Sequence, residues 1–265
     1  MKVDIDFLKS LEENANAYYA EAKKAKKKLL GLEKGVAKVQ KKIAQEHESG
    51  PVERIAVRKR EKRWFEKFHW FFTSEGLLVI AGRDARSNED VVKKHMEKND
   101  VYFHADVHGA PHTVLKAGEK KPGKKSLAEA AIFAAVFSKA WREQLAAVDV
   151  YSASPSQVSK NAPSGESLGT GAFMVYGERE WFRKTPLEYA LGFAKKGDFY
   201  EVFGGPLACV EKCELVMIVV HGKDSKGNAA KKALSLAKKK LGSQINAGVD
   251  DISNLLPSGE LGIKN

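Results

Sequence analysis

The chain has almost no cysteine: Cys209 and Cys213 are the only two among 265 residues. Two thiols cannot build a disulfide framework, and their spacing is not that of a zinc knuckle. Both read as small interior residues in a reducing compartment. Long apolar runs are missing as well. The stretch around Ile132 to Phe137 is far too short to cross a bilayer, and the N-terminus, MKVDIDFLKS, lacks the apolar core of a signal peptide. The expectation from these absences is a cytoplasmic protein with no membrane partner. Acidic charge is scarce relative to basic, with 34 Asp+Glu against 45 Lys+Arg and a formal net charge of +11. That balance favours a polyanionic partner, nucleic acid first and an anionic membrane surface second. The sequence carries no internal repeat, no Walker A motif and no Gly-x-Ser-x-Gly elbow.

From Ile5 to about Arg63, apolar residues recur in alternating steps of three and four: Leu8, Leu11, Ala15, Tyr18, Ala22, Ala25, Leu29, Leu32, Val36, Val39, Ile43. A helix with that stripe buries one narrow seam against a partner helix. Gly31 and Gly35 each weaken it by roughly 1 kcal/mol relative to Ala and mark either a bend or a close helix approach. Gly50-Pro51 breaks the helix, and Val52 to Phe68 reads as a second helical stretch. The seam therefore pairs either in cis across that turn or with another chain, a homodimer through residues 5–47 included. Residues 21–63 hold 15 Lys/Arg against 6 Asp/Glu, nine of the net +11. A solvated lysine-rich face and a rail for phosphates are the two readings of that charge.

The rest of the chain reads as a mixture of short strands and helices. A hairpin turns at Thr73-Ser74-Glu75-Gly76 into a strand Leu77 to Ala81. A helix follows from about Asn88 to Lys98 with Ser87 as its cap. A strand is expected over Val101 to Val107, a largely apolar helix over Ser126 to Ala147, and a strand over Val148 to Ala153. Short strands at Phe173 to Tyr176, Phe199 to Phe203 and Leu215 to Val220 precede a basic helix from about Lys226 to Leu241. The fold class is α+β (mixed α/β), preceded by a long helical coiled-coil arm. The expected organisation is an arm at 1–63, a globular domain at 64–213 and a small C-terminal α/β extension at 214–265 packed on it.

Three constellations carry candidate chemistry. In VIAGRDARSNED, a strand-to-helix turn presents Arg83, Asp84, Arg86, Asn88 and Glu89, a setting suited to phosphate; an Arg–Asp salt bridge beside a capped helix is the plainer reading. In YFHADVHGAPH, His104, Asp106 and His108 alternate and would share one face of a strand, with His112 close by. Such a set suits RNA contact or a polar network, and alternatively a metal-dependent RNA-acting hydrolase. The loop PSQVSKNAPSGESLGTGAF offers Gln157, Ser159, Lys160, Ser164 and Glu166.

Taken in order, WFEKFHWFFTSEGLLVIAGRDARSNED, DVYFHADVHGAPHTVLK, SKAW and PSQVSKNAPSGESLGTGAFMVYG closely resemble the NFACT-R domain of the NFACT family, the ribosome quality-control factors. ENANAYYAEAKKAKKKLLG is similar to the end of that family's coiled-coil region, and the C-terminal LLPSGELGI resembles archaeal members. The likeness runs from about Asp4 to Gly177. It implies an RNA-binding, non-enzymatic protein without a cofactor, whose partners are tRNA and the rRNA of the large ribosomal subunit at stalled translation complexes. The three constellations, with Lys116 of the HTVLK segment, are then the candidate RNA-contacting residues. Full-length members begin with an NFACT-N domain and a helix-hairpin-helix region that this sequence does not include, so the resemblance implies binding rather than tail synthesis.

Overall fold

The computed structural model describes residues 5–48, 63–162 and 167–265; within the first stretch, the side chains of residues 34, 38 and 41–48 are not described. The chain divides into two compact units, Met1–Ala56 and Val57–Asn265.

In the first unit, helix α1 spans Leu11–Glu48. Its start is written in Ser10-Leu-Glu-Glu13. The Ser10 hydroxyl accepts from the Glu13 N–H (3.1 Å), while the Glu13 carboxylate accepts from the Ser10 N–H (2.8 Å). This reciprocal cap satisfies two N–H groups that no helical turn can serve. Asn14 folds the preceding turn onto the helix by donating to the carbonyls of Asp6 and Ser10, both at 3.0 Å. The helix runs through Gly31 and Gly35 without a break, and the space around both is open. Seam residues Leu11, Leu29, Leu32, Val36 and Val39 are all more than half exposed. Lys23, Lys24, Lys26, Lys27 and Lys28 are exposed too. Most of the expected second helical stretch lies outside the described residues. Its described end, Trp64–Lys67, is a single 3-10 turn instead of α-helix, entered from an extended Arg63 that offers no side-chain cap.

In the second unit, strands β1 (His69–Phe72) and β2 (Leu78–Ala81) form the expected antiparallel hairpin. Thr73 closes it: its hydroxyl accepts from Leu77 N–H at 3.0 Å, and Gly76 takes the left-handed backbone (φ 78°) the turn requires. Next come α2 (Ala85–Asp90), β3 (Val101–Ala105), β4 (Thr113–Leu115), α3 (Lys124–Val136), α4 (Lys139–Arg142) and β5 (Ala147–Ala153). A small ribbon of β6 (Val158–Ser159) and β7 (Met174–Val175) precedes β8 (Glu180–Pro186). The main sheet has the order β1-β2-β4-β3-β5-β8, with every neighbouring pair antiparallel. Helix α3 covers one face of it, with Phe133 against Phe71 (ring centroids 4.6 Å apart) on the face that also buries Val79, Phe103 and Leu115.

A second sheet contains β9 (Tyr189–Lys196), β10 (Phe199–Gly205), β11 (Leu215–Asp224) and β12 (Leu261–Lys264) in the order β10-β9-β11-β12. A short α5 (Leu207–Val210) links β10 to β11, and α6 (Lys226–Leu241) and α7 (Val249–Leu255) lie between β11 and β12 in the chain. Helix α6 packs on β11, β12 and α7, burying Ala229, Ala230, Ala233 and Ala237. The expected boundary at residue 214 falls inside this sheet, since β9 and β10 precede it and β11 and β12 follow it. One hydrophobic core joins both sheets, from Phe71 through Leu191 to Leu261. The mixture of helix and antiparallel sheet is α+β.

Three expected elements differ in detail. The helix expected from Asn88 begins at Ala85, capped by Asp84 and not by Ser87. The Asp84 carboxylate accepts from Ser87 N–H (2.8 Å), and the Ser87 hydroxyl accepts from Asp84 N–H (2.9 Å). Ser87 is thus the third helical residue of a reciprocal cap. The helix expected over Ser126 to Ala147 stops at Val136 because Ser138 caps a new turn, accepting from Ala140 N–H at 3.1 Å. The strand expected to reach Val107 ends at Ala105.

Candidate nucleic-acid interface

The turn between β2 and α2 is shaped by two close approaches. Gly82 lies against Asn88, where an added Cβ would sit 2.0 Å from Oδ1. That amide oxygen also accepts from His112 N–H at 3.0 Å, and Gly82 N–H donates to His112 O at 3.1 Å. The turn and the β3–β4 connection are thereby fixed to each other. Arg83 points its guanidinium inward. Its Nη2 donates to Phe68 O (2.8 Å) and Asn254 O (3.4 Å), while its Nε is buried with no hydrogen-bond partner. Burial holds its pKa below the usual arginine value.

The loop after β6 closes over this turn through Glu89. One carboxylate oxygen accepts from Gly171 N–H (2.7 Å) and from Lys160 Nζ (3.2 Å); the other pairs with Lys93 at 2.6 Å. Those partners hold the Glu89 carboxyl down at about 2, Lys93 contributing most. Lys160 also donates to the carbonyls of Gly169 (2.8 Å) and Ala172 (3.1 Å). Gly171 has φ 76°, and a Cβ there would lie 2.4 Å from Ala85 O. Only glycine fits that contact.

Between the turn, the β3–β4 connection and the loop lies a cavity of about 630 Å³, within the range of small-ligand sites. Four histidines line it: His69, His104, His108 and His112. The His112 tautomer follows from its partners. Nε2 donates to Gly171 O at 2.8 Å, so Nδ1 is left to accept from Tyr102 Oη. Burial lowers the pKa of His69, His104 and His112. His104 falls to about 4, with His112 as a second cause. His69 falls well below its usual value, with the charges of Arg83 and Lys226 adding to burial. At neutral pH His69, His104 and His112 are uncharged imidazoles, joined by the rings of Phe137, 4.1 Å from His69, and Phe173, 5.2 Å from His112.

The structure brings Arg83, Asp84, Asn88, His104 and His108 together on this cavity. Glu89 and Lys160 act one step back, pinning its loop. Arg86 and Asp106 are exposed nearby in the chain. Lys116 does not line the cavity: it pairs with buried Asp100 and donates to His95 O (2.6 Å). Gln157 braces the ribbon by donating to Tyr176 O (2.8 Å) and Glu178 O (2.5 Å), and the Ser159 hydroxyl accepts from Asn161 N–H (3.0 Å). Ser164 and Glu166 lie outside the described residues. The expected alternation of His104, Asp106 and His108 on one strand face does not occur. The chain turns after Ala105, with Val107 N–H donating to Ala105 O (2.8 Å) and Gly109 at φ 76°. Among the described residues, no three His, Cys, Asp or Glu side chains gather as a metal-ligand set. His69, Phe137, Phe173 and Ser258 line the cavity as well, although none was among the expected contact residues; His69 and Phe173 lie inside quoted segments, and Phe137 and Ser258 have no local motif.

A second cavity, of about 990 Å³, lies between the hairpin turn and α5 and is lined by Thr73, Glu129, Cys209 and Cys213, among others. It contains none of the expected contact residues. Both cysteines are free and half-buried, not fully interior.

Residues 67–177, which build most of the first cavity, match the family model described as the NFACT protein RNA binding domain. The chain belongs to the NFACT family. It is 37% identical over 204 residues to the archaeal Rqc2 homolog aRqcH of Methanocaldococcus jannaschii, covering 76% of this chain and 29% of that protein. It is 36% identical over 200 residues to the Drosophila melanogaster ribosome quality control complex subunit NEMF homolog, covering 73% and 20% respectively. The chain thus spans less than a third of the length of either relative. The solved C-terminal part of the fibronectin/fibrinogen-binding protein from Streptococcus suis matches at 21% identity with a TM-score of 0.39, covering 68% of this chain and 78% of that one.

Proposed function

We propose that the chain is an RNA-binding module of ribosome-associated quality control, without catalytic activity of its own, contacting tRNA or large-subunit rRNA at stalled translation complexes. The observation that carries this reading is the convergence of three separate segments of the RNA-binding domain on one ring-lined cavity, with the inward Arg83 at its edge. Neutral imidazoles and phenyl rings suit stacking with unpaired bases, the usual basis of RNA recognition outside duplexes. The relatives named as ribosome quality control subunits support the setting. The basic face of α1 adds a sequence-independent attraction to phosphates. Its exposed seam finds a partner helix in the assembled complex.

Crosslinking in cells followed by sequencing of the bound RNA tests the reading. Enrichment of tRNA and large-subunit rRNA is expected. A library without either would overturn the proposal.

A further inference from the structure

Helix α6 carries charge of one sign only. Its 16 residues hold six lysines and no acid. Residues 21–63 take nine of the eleven net positive charges, so without α6 the rest of the chain would be net acidic. The lysines are sorted by face. Ala229, Ala230, Ala233 and Ala237 form the inward face and are fully buried, with Leu234, Leu236 and Leu241 packed beside them. At 3.6 residues per turn, Lys231, Lys232, Lys238 and Lys239 centre on the opposite face, and all four are exposed. The pair Lys231-Lys232 recurs seven residues later as Lys238-Lys239, so the four form two adjacent rows about 10 Å long. Among the described residues, the one ion pair in these rows joins Lys232 to Asp224 at 2.6 Å. A solvated helix face ordinarily mixes the signs, with an acid three or four residues from a lysine. Around these four lysines those positions are Gly, Asn, Ala, Leu or Ser throughout. The helix dipole accounts for cations in the last turn, Lys238 to Lys240, but not for Lys231 and Lys232 in the middle.

We propose that the outer face of α6 is a further RNA-contacting surface, a rail along which Lys231, Lys232, Lys238 and Lys239 hold the phosphate backbone. The face has the charge complementary to a polyanion, and the helix has no aromatic ring and no arginine with which to read a base. Contacts of this kind fix where a protein sits on RNA and carry no sequence information. The assignment rests on the RNA-binding reading above and adds to it a surface outside the matched span 67–177. The four side chains take no part in the core, and glutamine matches lysine closely in helix propensity, so their charge can be removed without unfolding the helix.

The test uses the full chain and a labelled single-stranded RNA oligomer, with fluorescence anisotropy read over a salt series. Lys231→Gln, Lys232→Gln, Lys238→Gln and Lys239→Gln, made together, are expected to weaken binding roughly thirtyfold at low salt. The log–log salt slope should fall by about 2, as expected if three of the four neutralise a phosphate. The same four lysines changed to arginine should keep both affinity and slope. As a control, the exposed Lys98, Lys120, Lys121 and Lys212 changed together to glutamine lose the same charge elsewhere on the globular unit and should shift affinity by no more than about threefold. Thermal melting of every variant reports the fold. Unchanged RNA affinity in the α6 variant would overturn the proposal, as would an equal loss in the control. Vesicles containing phosphatidylserine separate the two polyanions: if the α6 variant loses vesicle binding and keeps its RNA affinity, the face serves a membrane and the proposal fails. Those outcomes sink the α6 surface alone, whereas no RNA binding by the parent chain sinks the RNA reading with it.

Discussion

Residues 21–63 hold nine of the eleven net positive charges, so the rest of the chain is close to neutral. The arm displays Lys23, Lys24, Lys26, Lys27 and Lys28 on an exposed helix, and the space around Gly31 and Gly35 is open. The globular unit does the reverse. It carries little net charge, yet turns the half-buried Arg83 inward onto backbone carbonyls, keeps His69, His104 and His112 neutral around a cavity, and pins a loop with Glu89. The difference separates two ways of meeting RNA. Dense exposed charge gains affinity by releasing counterions and reads no sequence. A shaped cavity contributes little through bulk charge and depends on geometry held to a fraction of an ångström.

The sharpest break of the comparison comes from one substitution made in both regions. Gly171→Ala forces a left-handed backbone on alanine and drives its Cβ against Ala85 O. The backbone and overpacking costs together come to about 4 kcal/mol. Denaturant unfolding should show the loss, together with weakened RNA binding from a displaced loop. A change near zero would mean the loop is not held by this contact.

Acid should act next most strongly, through the cavity. The unfolded chain takes up a proton at His104 near pH 6.5, and the folded chain only near 4. Between those values the unfolded state holds more protons. Stability is therefore full above 6.5 and falls as the pH drops towards 4, by on the order of 3 kcal/mol for this ring. His69 and His112 push in the same direction. Glu89, held near 2, titrates in a lower window, between 4.5 and 2, so the two are distinguishable. His104→Asn should flatten the upper window in pH-dependent urea unfolding. An unchanged slope would show that the ring is not protected.

On the arm, changing Lys23, Lys24, Lys26, Lys27 and Lys28 together to Gln should lower affinity for single-stranded RNA by roughly a hundredfold at low salt. It should also reduce the log–log salt slope by about 3, as expected if most of the five neutralise a phosphate. Equal slopes for the five-lysine variant and the parent would remove the arm from the interface.

The sequence exposed these two regions unequally. The arm's stripe, its charge and the hairpin Thr73-Ser74-Glu75-Gly76 are local patterns, readable within a few residues. Clustering of Arg83, Asn88 and His104 was also legible, because each belongs to a short polar motif. The cavity itself was not. Glu89 and Gly171 meet across 82 residues, and Phe137 and Ser258 arrive from a helix end and a turn with no motif of their own. Strand β9, Tyr-Ala-Leu-Gly-Phe-Ala-Lys-Lys, contains good helix formers and is a strand because both its edges are paired. Its Gly192 is explained only by α5 passing overhead, where a Cβ would lie 2.7 Å from Val210 Cβ. Alternation on β3 failed for a similar reason: period-two reasoning assumes the strand continues, and the turn at Ala105 ends it.

The smallest effect completes the contrast begun with Gly171. Gly31 and Gly35 sit inside α1 with normal helical backbone and open space around the missing Cβ. Alanine at either position should stabilise the helix by about 1 kcal/mol, through the lower entropy of the unfolded chain. The far-UV helical signal should rise, and its thermal midpoint with it, while Gly171→Ala in the same protein lowers the main unfolding midpoint. The opposite signs follow from surroundings, since the residue change is identical. A loss of helical signal in Gly31→Ala or Gly35→Ala would show that a partner helix packs closely there. The arm would then be a built interface like the cavity, and the division between diffuse charge and fixed geometry would move to a different place in the chain.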